Sequence, residues 1–145
     1  MDKLTNIEIG TFLKLFNRGG YVLDFTTNDF DVFTMESIGI ALCNEYHMSK
    51  GKSLAAYVNS ASTSDIEKLL NDLLSYYEEN YEQEYTENLT DDEYSYCQYN
   101  AEYARLYKKC RAYMNRVLNN TTPLAVNATE LQEKFSSQYL SKQIE

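Results

Sequence analysis

Apolar side chains recur every three or four residues along two long stretches of this chain, and this spacing constrains the fold more than any other feature of the sequence. The first stretch carries them at Ile66, Leu69, Leu70, Leu73, Leu74, Tyr77 and Tyr81. The second carries them at Tyr96, Tyr99, Tyr103, Leu106, Cys110, Tyr113 and Val117. An α-helix places residues three and four apart on one face. We therefore predict two long amphipathic helices that pack as an antiparallel helical hairpin.

Helix starts are marked by capping boxes, in which a Ser, Thr or Asn caps the helix and a Glu three residues later returns the hydrogen bond. The four candidate pairs are Thr5 with Glu8, Ser64 with Glu67, Thr90 with Glu93, and Asn127 with Glu130. Ser49 is a further candidate N-cap. The pattern predicts a first helix over residues 6–17, others from Ser49 and Ser64, the longest from Thr90 and a last one from Asn127.

The segment that follows the first helix, NRGGYVLDF, favours an extended conformation instead. Gly19 and Gly20 end the helical pattern, and Tyr21–Phe25 is rich in residues that prefer strands. A strand here needs a partner for its backbone hydrogen bonds. We expect that partner to be Gly39–Tyr46, which could also be helical, or a second copy of the chain in a homo-oligomer.

The predicted fold class is mainly α, a helical bundle with the long antiparallel helical hairpin and one or two short N-terminal strands. Phe30 and Phe33 are expected to cover the apolar strip of Tyr21–Phe25. Pro123, the one proline in the sequence, follows a polar run and predicts a boundary there. We expect a helical N-terminal module over residues 1–122 and a linker with a C-terminal helix over 123–145, which fits either a connection to a further domain or a complete small protein.

The composition argues against several functional classes. No apolar run approaches the roughly 20 residues that cross a bilayer, and the N-terminus MDKLTNIEIG has no secretory signal pattern. We expect a cytoplasmic protein that does not bind membranes. The cysteines Cys43, Cys97 and Cys110 share no metal-ligand spacing, and His47 is the one histidine. We therefore expect no metal and no cofactor.

Catalytic motifs are also missing from the sequence. It contains neither a serine elbow nor a phosphate-binding loop. Asp24, Asp29, Asp31 and Glu36 are spaced so that a strand and a helix would turn them away from one another. We expect no catalytic residue, and this favours a protein that is not an enzyme.

Charge is strongly segregated in a chain whose net charge is −9. Residues 69–104 contain ten acidic residues and no basic one, whereas residues 105–129 contain five basic residues and no acidic one. Folding the two long helices together would gather the acidic residues at the tip of the hairpin and bring Arg105, Lys108, Lys109 and Arg111 near Asp65, Glu67 and Asp72. The tip is either a solvated turn or a dock for a basic protein partner. The candidate partner-binding residues are Glu78, Glu79, Glu82, Asp91, Asp92, Tyr81 and Tyr85.

A nucleic-acid binder or nucleic-acid-directed enzyme is the alternative. Its candidate residues are Lys50, Lys52, Arg105, Lys108, Lys109 and Arg111. The net negative charge disfavours binding to a phosphate backbone, so we expect no nucleic-acid partner. The same acidic excess leaves a third hypothesis open, that of an acidic protein that mimics DNA.

Three segments together resemble the N-terminal domain of AbiJ-type abortive infection proteins: FNRGGYVLDFTTNDFDVF, SIGIALCNEY and SKGKSLAAYV. The resemblance covers about residues 1–75. The chain departs from the family pattern at Ser53, where such domains often carry arginine, and at Ala56 and Tyr57, which replace a more basic edge. The resemblance implies a bacterial antiphage module that senses or relays infection while a separate C-terminal domain kills or arrests the cell.

Overall fold

The structure, a computed structural model, describes residues 3–87 and 98–121. Within these residues it is mainly helical, with one two-stranded antiparallel sheet, which confirms the predicted fold class. The elements, in chain order, are α1 (Asn6–Phe16), β1 (Asn17–Arg18), β2 (Tyr21–Val22), α2 (Thr27–Ile38), α3 (Leu42–Tyr46), α4 (Lys50–Ser60), α5 (Thr63–Asn80), α6 (Glu82–Tyr85) and α7 (Ala101–Thr121).

The chain divides into two compact units, one spanning Lys3–Asn115 and the other including the end of α7 from Arg116 onward. The contacts that follow all lie within Lys3–Asn115. None of the described helices combines the length and the apolar character that a membrane span requires.

The first capping box forms as predicted. The Thr5 hydroxyl accepts a hydrogen bond from the Glu8 amide at 3.2 Å, and the Glu8 carboxylate accepts one from the Thr5 amide at 3.0 Å. α1 buries Phe12, Leu15 and Phe16 and ends at Phe16, one residue before the predicted boundary. The predicted first helix is therefore confirmed.

The strand at Tyr21 pairs with the residues directly before it, not with Gly39–Tyr46. β1 and β2 form an antiparallel pair in which Asn17 faces Val22. Gly19 and Gly20 make the two-residue turn with φ of 64° and 94°, the left-handed conformation that such tight turns require and that glycine adopts without strain. The expected partner segment is helical, since Leu42–Tyr46 forms α3.

The start of α4 docks on the turn of this β-hairpin. The Gly51 amide donates a hydrogen bond to the Gly20 carbonyl at 2.9 Å, and the Gly51 carbonyl accepts one from the Asn17 side chain at 3.3 Å. A Cβ atom at position 51 would lie 3.3 Å from the backbone carbonyl group of Gly20. The glycine of the SKGK segment thus permits close contact with the two glycines of the NRGG segment.

The phenylalanines of the opening stretch pack as expected, together with a residue that the sequence did not indicate. The ring of Phe25 lies 5.7 Å from that of Phe30 and 5.1 Å from that of Phe33. The prediction that Phe30 and Phe33 cover this strip is confirmed at Phe25. Tyr76 of α5 stacks on Phe25 at 4.4 Å, so this aromatic cluster also joins the β-hairpin region to α5.

Helix α3 receives its N-terminal cap from another helix. Its own N-cap residue, Ala41, has no side chain that can accept a hydrogen bond. The carboxylate of Asp31 in α2 instead accepts from the Cys43 amide at 2.7 Å and from the Asn44 amide at 3.2 Å. A carboxylate that accepts amide hydrogen bonds at a helix N-terminus stabilises the helix, and this contact fixes α3 to α2.

Helix α5 begins two residues before the predicted start. Its N-cap is Ser62, whose hydroxyl accepts a hydrogen bond from the Asp65 amide at 3.4 Å. The predicted box of Ser64 with Glu67 is therefore wrong, and the Glu67 carboxylate accepts from the Leu4 amide at 3.1 Å instead. The predicted apolar stripe is correct, because the helix buries Ile66, Leu69, Leu70, Leu73, Leu74 and Tyr77.

The last long helix starts later than predicted. α7 begins at Ala101, and the Asn100 side chain caps it by accepting from the Glu102 and Tyr103 amides at 2.9 and 3.1 Å. Residues 98–100 are not helical, so a continuous helix through Tyr99 is wrong. The predicted boxes at Thr90 and Asn127 and the boundary after residue 122 lie outside the described residues.

Replacing Gly51 with alanine tests the contact between α4 and the β-hairpin. We expect Gly51→Ala to destabilise the protein by about 1–3 kcal/mol, since the added methyl group crowds a backbone that is held by hydrogen bonds. Gly10→Ala is the matched control within α1, where an added Cβ meets nothing within 4 Å, and it should stabilise by about 0.5–1 kcal/mol. Urea denaturation of both variants measures the difference. Equal stabilisation by both substitutions would contradict the close contact.

Candidate interaction surface on helices α5 and α6

The acidic segment of the sequence divides in the structure into buried and exposed carboxylates. Glu84 is buried and Glu78 is half-buried, whereas Glu79, Glu82 and Glu87 are exposed. Asp91 and Asp92 lie outside the described residues. The segment that was predicted as one acidic tip therefore has two parts, which differ in what their charges contact.

Glu84 forms an ion pair with Arg18 of the β-hairpin. The two terminal guanidinium nitrogens of Arg18 donate to the two carboxylate oxygens of Glu84 at 2.9 and 3.2 Å. The side chains are 20% and 9% exposed, so the pair is largely removed from water. The Nε atom of Arg18 donates to the Leu15 carbonyl at 2.9 Å, which orients the guanidinium group toward α6.

Tyrosine rings surround this ion pair. The guanidinium carbon of Arg18 lies 3.7 Å from the ring centroid of Tyr103 and 5.9 Å from that of Tyr81. A cation over an aromatic ring is attracted to its negative face. The Tyr77 hydroxyl donates to the Glu84 carboxylate at 2.6 Å. The carboxylate therefore has three hydrogen bonds from side chains that lie in β1 and α5.

A second ion pair joins α5 to α7. The guanidinium group of Arg111 donates to both carboxylate oxygens of Glu78, at 2.8 and 2.9 Å, and the Tyr107 hydroxyl donates to the same carboxylate. Burial alone would raise the pKa of Glu78, but the hydrogen bonds from Arg111 and Tyr107 outweigh it and lower that pKa. Burial and the hydrogen bond to Glu78 raise the pKa of Tyr107 to about 12.

Tyr81 and Tyr85, both predicted to contact a partner, belong to an aromatic cluster inside the fold. Tyr81 is 4% exposed and stacks on Tyr77 at 5.2 Å. Tyr85 lies 4.2 Å from the ring of Tyr107, and its hydroxyl donates to the Glu78 carbonyl at 3.0 Å. These two rings and the paired carboxylate of Glu78 stabilise the structure. Of the predicted partner-binding residues that the structure describes, Glu79 and Glu82 are exposed.

The basic residues of α7 do not contact the acids expected of them. Arg111 pairs with Glu78, and Arg105 pairs with Glu102 one turn away at 3.0 Å. Of the predicted acidic partners, Asp72 pairs with Lys68 at 2.7 Å and Glu67 binds the Leu4 amide. The expected pairing of Arg105, Lys108, Lys109 and Arg111 with Asp65, Glu67 and Asp72 is therefore wrong.

The residues of the nucleic-acid alternative lie on two helices, with Lys50 and Lys52 on α4 and the other four on α7. Lys50 is 8% exposed, and its ammonium group lies 4.7 Å from the ring centroid of Tyr21, so it is part of the contact between α4 and the β-hairpin. Lys52, Lys108 and Lys109 are exposed. Arg105 is exposed as well but pairs with Glu102, so three unpaired lysines on two helices remain of the six candidates.

An open cleft lies between α2 and α5, which no pattern in the sequence had indicated. Its volume is about 450 Å³, and its lining residues are Phe33, Glu36, Ser37, Asp72, Ser75, Tyr76, Glu79 and Asn80. Three of these are acidic and none is basic. The cleft extends the exposed acidic surface of α5 onto α2, and we name Glu36, Asp72, Glu79 and Glu82 together the acidic face.

Polar contacts hold the floor of the cleft in place. The Tyr76 hydroxyl donates to the Asp24 carboxylate at 2.8 Å, while its ring stacks on Phe25. The Ser37 hydroxyl donates to Asp72 at 2.6 Å. Tyr76 and Asp72 are therefore positioned before any ligand arrives.

The described thiols are not activated. Burial raises the pKa of Cys110 to about 12, and burial followed by the negative charge of Asp31 raises the pKa of Cys43. A thiol becomes a nucleophile or metal ligand as the thiolate, so both cysteines act as core residues. Within residues 3–87 and 98–121 no three His, Cys, Asp or Glu side chains come together as a metal site.

Comparison with models of known protein families, with curated proteins and with solved structures finds no match to this chain.

Removing Arg18 tests the buried ion pair. We expect Arg18→Met to destabilise the protein by about 3–5 kcal/mol, because it leaves the Glu84 carboxylate buried and unpaired. Arg105→Met removes the exposed pair with Glu102 and is the control, which should change stability by less than about 1 kcal/mol. The double variant Arg18→Met/Glu84→Met should be more stable than Arg18→Met alone. Chemical denaturation of the four proteins measures these differences, and equal effects at positions 18 and 105 would contradict the role of the pair.

The hydrogen bond from Tyr107 to Glu78 should make stability depend on alkaline pH. Folding raises the pKa of Tyr107 from its ordinary value of 10.0 to about 12. The contribution of this hydrogen bond is therefore fully present below about pH 10 and is lost as the pH rises toward about 12. We expect the stability difference between wild type and Tyr107→Phe to be constant between about pH 7 and 9 and to shrink above about pH 10. A difference that stays constant up to about pH 12 would show that the hydroxyl is not bound to a carboxylate.

Proposed function

We propose that this protein is a non-enzymatic interaction module of a bacterial antiphage protein of the abortive infection type, and that its acidic face binds a basic segment of a protein partner. The observation that carries the binding proposal is the division of the acidic residues. Glu78 and Glu84 neutralise arginines of the same chain, whereas Glu36, Glu79 and Glu82 are exposed.

Exposed like charges favour a partner of opposite charge. Residues 69–104 include no basic side chain, and among the described members of the acidic face Asp72 alone forms an ion pair, with Lys68. Complementary charge around an interface accelerates encounter and selects the partner. A basic segment would therefore be attracted to this face, and an acidic one such as a nucleic acid would be repelled.

The antiphage context rests on the three segments that resemble AbiJ-type proteins. Two of them contact each other closely, since Gly20 of FNRGGYVLDF and Gly51 of SKGKSLAAYV share a backbone hydrogen bond. Asp31 of the first segment caps the helix of SIGIALCNEY. The resembling residues thus contact one another as one scaffold, and two of them, Phe33 and Ser37, line the cleft of the acidic face.

Nucleic-acid binding is a second candidate, favoured by the exposed lysines Lys52, Lys108 and Lys109. It is the weaker one because the chain has a net charge of −9, and a phosphate backbone would meet long-range repulsion before it reached these lysines. Binding that weakens steeply with salt and is lost on replacement of Lys108 and Lys109 would support it.

Neutralising the acidic face tests the proposed function. The variant Glu79→Gln/Glu82→Gln should fold with unchanged or slightly higher stability, since it removes repulsion between like charges. The control Glu45→Gln/Asp65→Asn removes the same charge from exposed positions on α3 and the start of α5. Both variants and wild type are used as baits in extracts of phage-infected cells at low and high salt.

We expect wild type and the control to retain the same set of proteins at low salt and to release them at high salt. The Glu79→Gln/Glu82→Gln variant should fail to retain these proteins. Rim charges act mainly through association, so the loss should be largest at low salt. An identical set of retained proteins for all three baits would refute binding through the acidic face. Loss of phage protection in the variant, with protection kept by the control, would link the face to antiphage activity.

A further inference from the structure

The cleft between α2 and α5 combines two groups that bind planar cations. Glu36, Asp72 and Glu79 provide negative charge, and Phe33 and Tyr76 provide aromatic surface. Its volume of about 450 Å³ lies within the range of about 300–1,000 Å³ that is typical of clefts for small ligands or single side chains. The cleft is therefore large enough for one long side chain.

The same fold already binds arginine with these groups at two internal positions. Arg18 contacts the carboxylate of Glu84 and the face of Tyr103. Arg111 contacts the carboxylate of Glu78 beside the hydroxyl of Tyr107. In both cases a carboxylate takes two guanidinium nitrogens while a tyrosine supports the site.

We propose that this cleft binds the guanidinium group of an arginine side chain in the basic segment of the partner. The proposal rests on the proposed function and names the chemistry of that site. None of the lining residues is basic, so the negative charge of the cleft favours binding of a cationic group from a partner. Lys68 offsets part of the charge of Asp72, which makes Glu36 and Glu79 the main charged contacts.

Arginine fits this cleft better than lysine for a geometric reason. Its guanidinium group is flat, stacks on aromatic rings and offers a fork of donors to a carboxylate, whereas an ammonium group is a strongly hydrated point charge. Tyr76 is already fixed through Asp24 and Phe25, so its ring loses little side-chain freedom when a guanidinium group stacks on it.

Apolar surface beside the cleft suits a residue next to that arginine. Val32 and Met35 of α2 are 51% and 50% exposed. Val32 lies one helical turn before Glu36 and on the same helix face. The partner segment is thus expected to carry an apolar residue close to its arginine, which distinguishes it from a uniformly basic tail.

Two peptides of equal charge test the proposal. One has three Arg-Leu repeats and the other three Lys-Leu repeats, both with blocked ends, and each is titrated into the full chain while backbone amide shifts are followed by NMR. We expect the arginine peptide to shift the amides of Phe33, Glu36, Tyr76 and Glu79, and to bind at least about threefold more tightly than the lysine peptide, as stacking and paired hydrogen bonds predict.

The variant Glu36→Gln/Glu79→Gln should weaken the arginine peptide about five- to tenfold, because two favourable surface charges are lost. The control Glu45→Gln/Asp65→Asn should weaken it by less than about twofold, since neither residue lines the cleft and both are exposed to solvent that screens their charges. Circular dichroism checks that both variants keep their helices.

Equal binding of the two peptides, equal weakening by the two variants, or shifts that avoid the cleft would each overturn the arginine site. The proposed function would still hold if the bait experiment shows proteins that wild type retains and the Glu79→Gln/Glu82→Gln variant does not. Specific arginine binding in the cleft, together with an unchanged set of retained proteins, would instead refute the proposed function and leave a cleft that recognises arginine.

Discussion

The buried ion pair between Arg18 and Glu84 is the interaction on which the rest of the structure depends. Removing two charges from water is unfavourable unless their hydrogen bonds are satisfied and their geometry is good. Arg18 meets that condition through two bonds to the carboxylate, one to the Leu15 carbonyl and the ring of Tyr103. The pair joins the β-hairpin to α6, and Tyr103 joins both to α7, so one side chain links segments that are far apart in sequence.

The short β-hairpin can hold Arg18 in place because it is itself held from outside. A pair of two-residue strands has little stability alone. The turn is fixed by the hydrogen bond from Gly51 to Gly20 and by the Asn17 side chain on the Gly51 carbonyl. Arg18 leaves this fixed strand directly toward α6, which reduces the entropy lost when its long side chain is ordered. The glycine turn and the ion pair therefore depend on each other.

Local patterns in the sequence predicted the local structure well. The capping box at Thr5, the apolar stripe of α5 and the packing of Phe25 all depend on residues near in sequence or on helical periodicity, and the structure contains them. The partners of Arg18 and Glu78 could not be predicted in this way, because they lie 66 and 33 residues away. Charge segregation did locate the acidic residues, but a net charge says nothing about which carboxylates are paired inside the fold.

The difference between paired and unpaired carboxylates is the argument for a binding role of the acidic face. Glu78 and Glu84 stabilise the fold because arginines from α7 and β1 neutralise them. Glu79 and Glu82 are exposed, and neither side chain forms an ion pair within the described residues. Glu79 lies in the last turn of α5, where its charge weakens the helix slightly because it meets the negative end of the helix dipole. Residues that weaken the fold without an internal contact are expected mainly where a sequence serves binding rather than stability, and the position of Glu79 at the cleft agrees with that role.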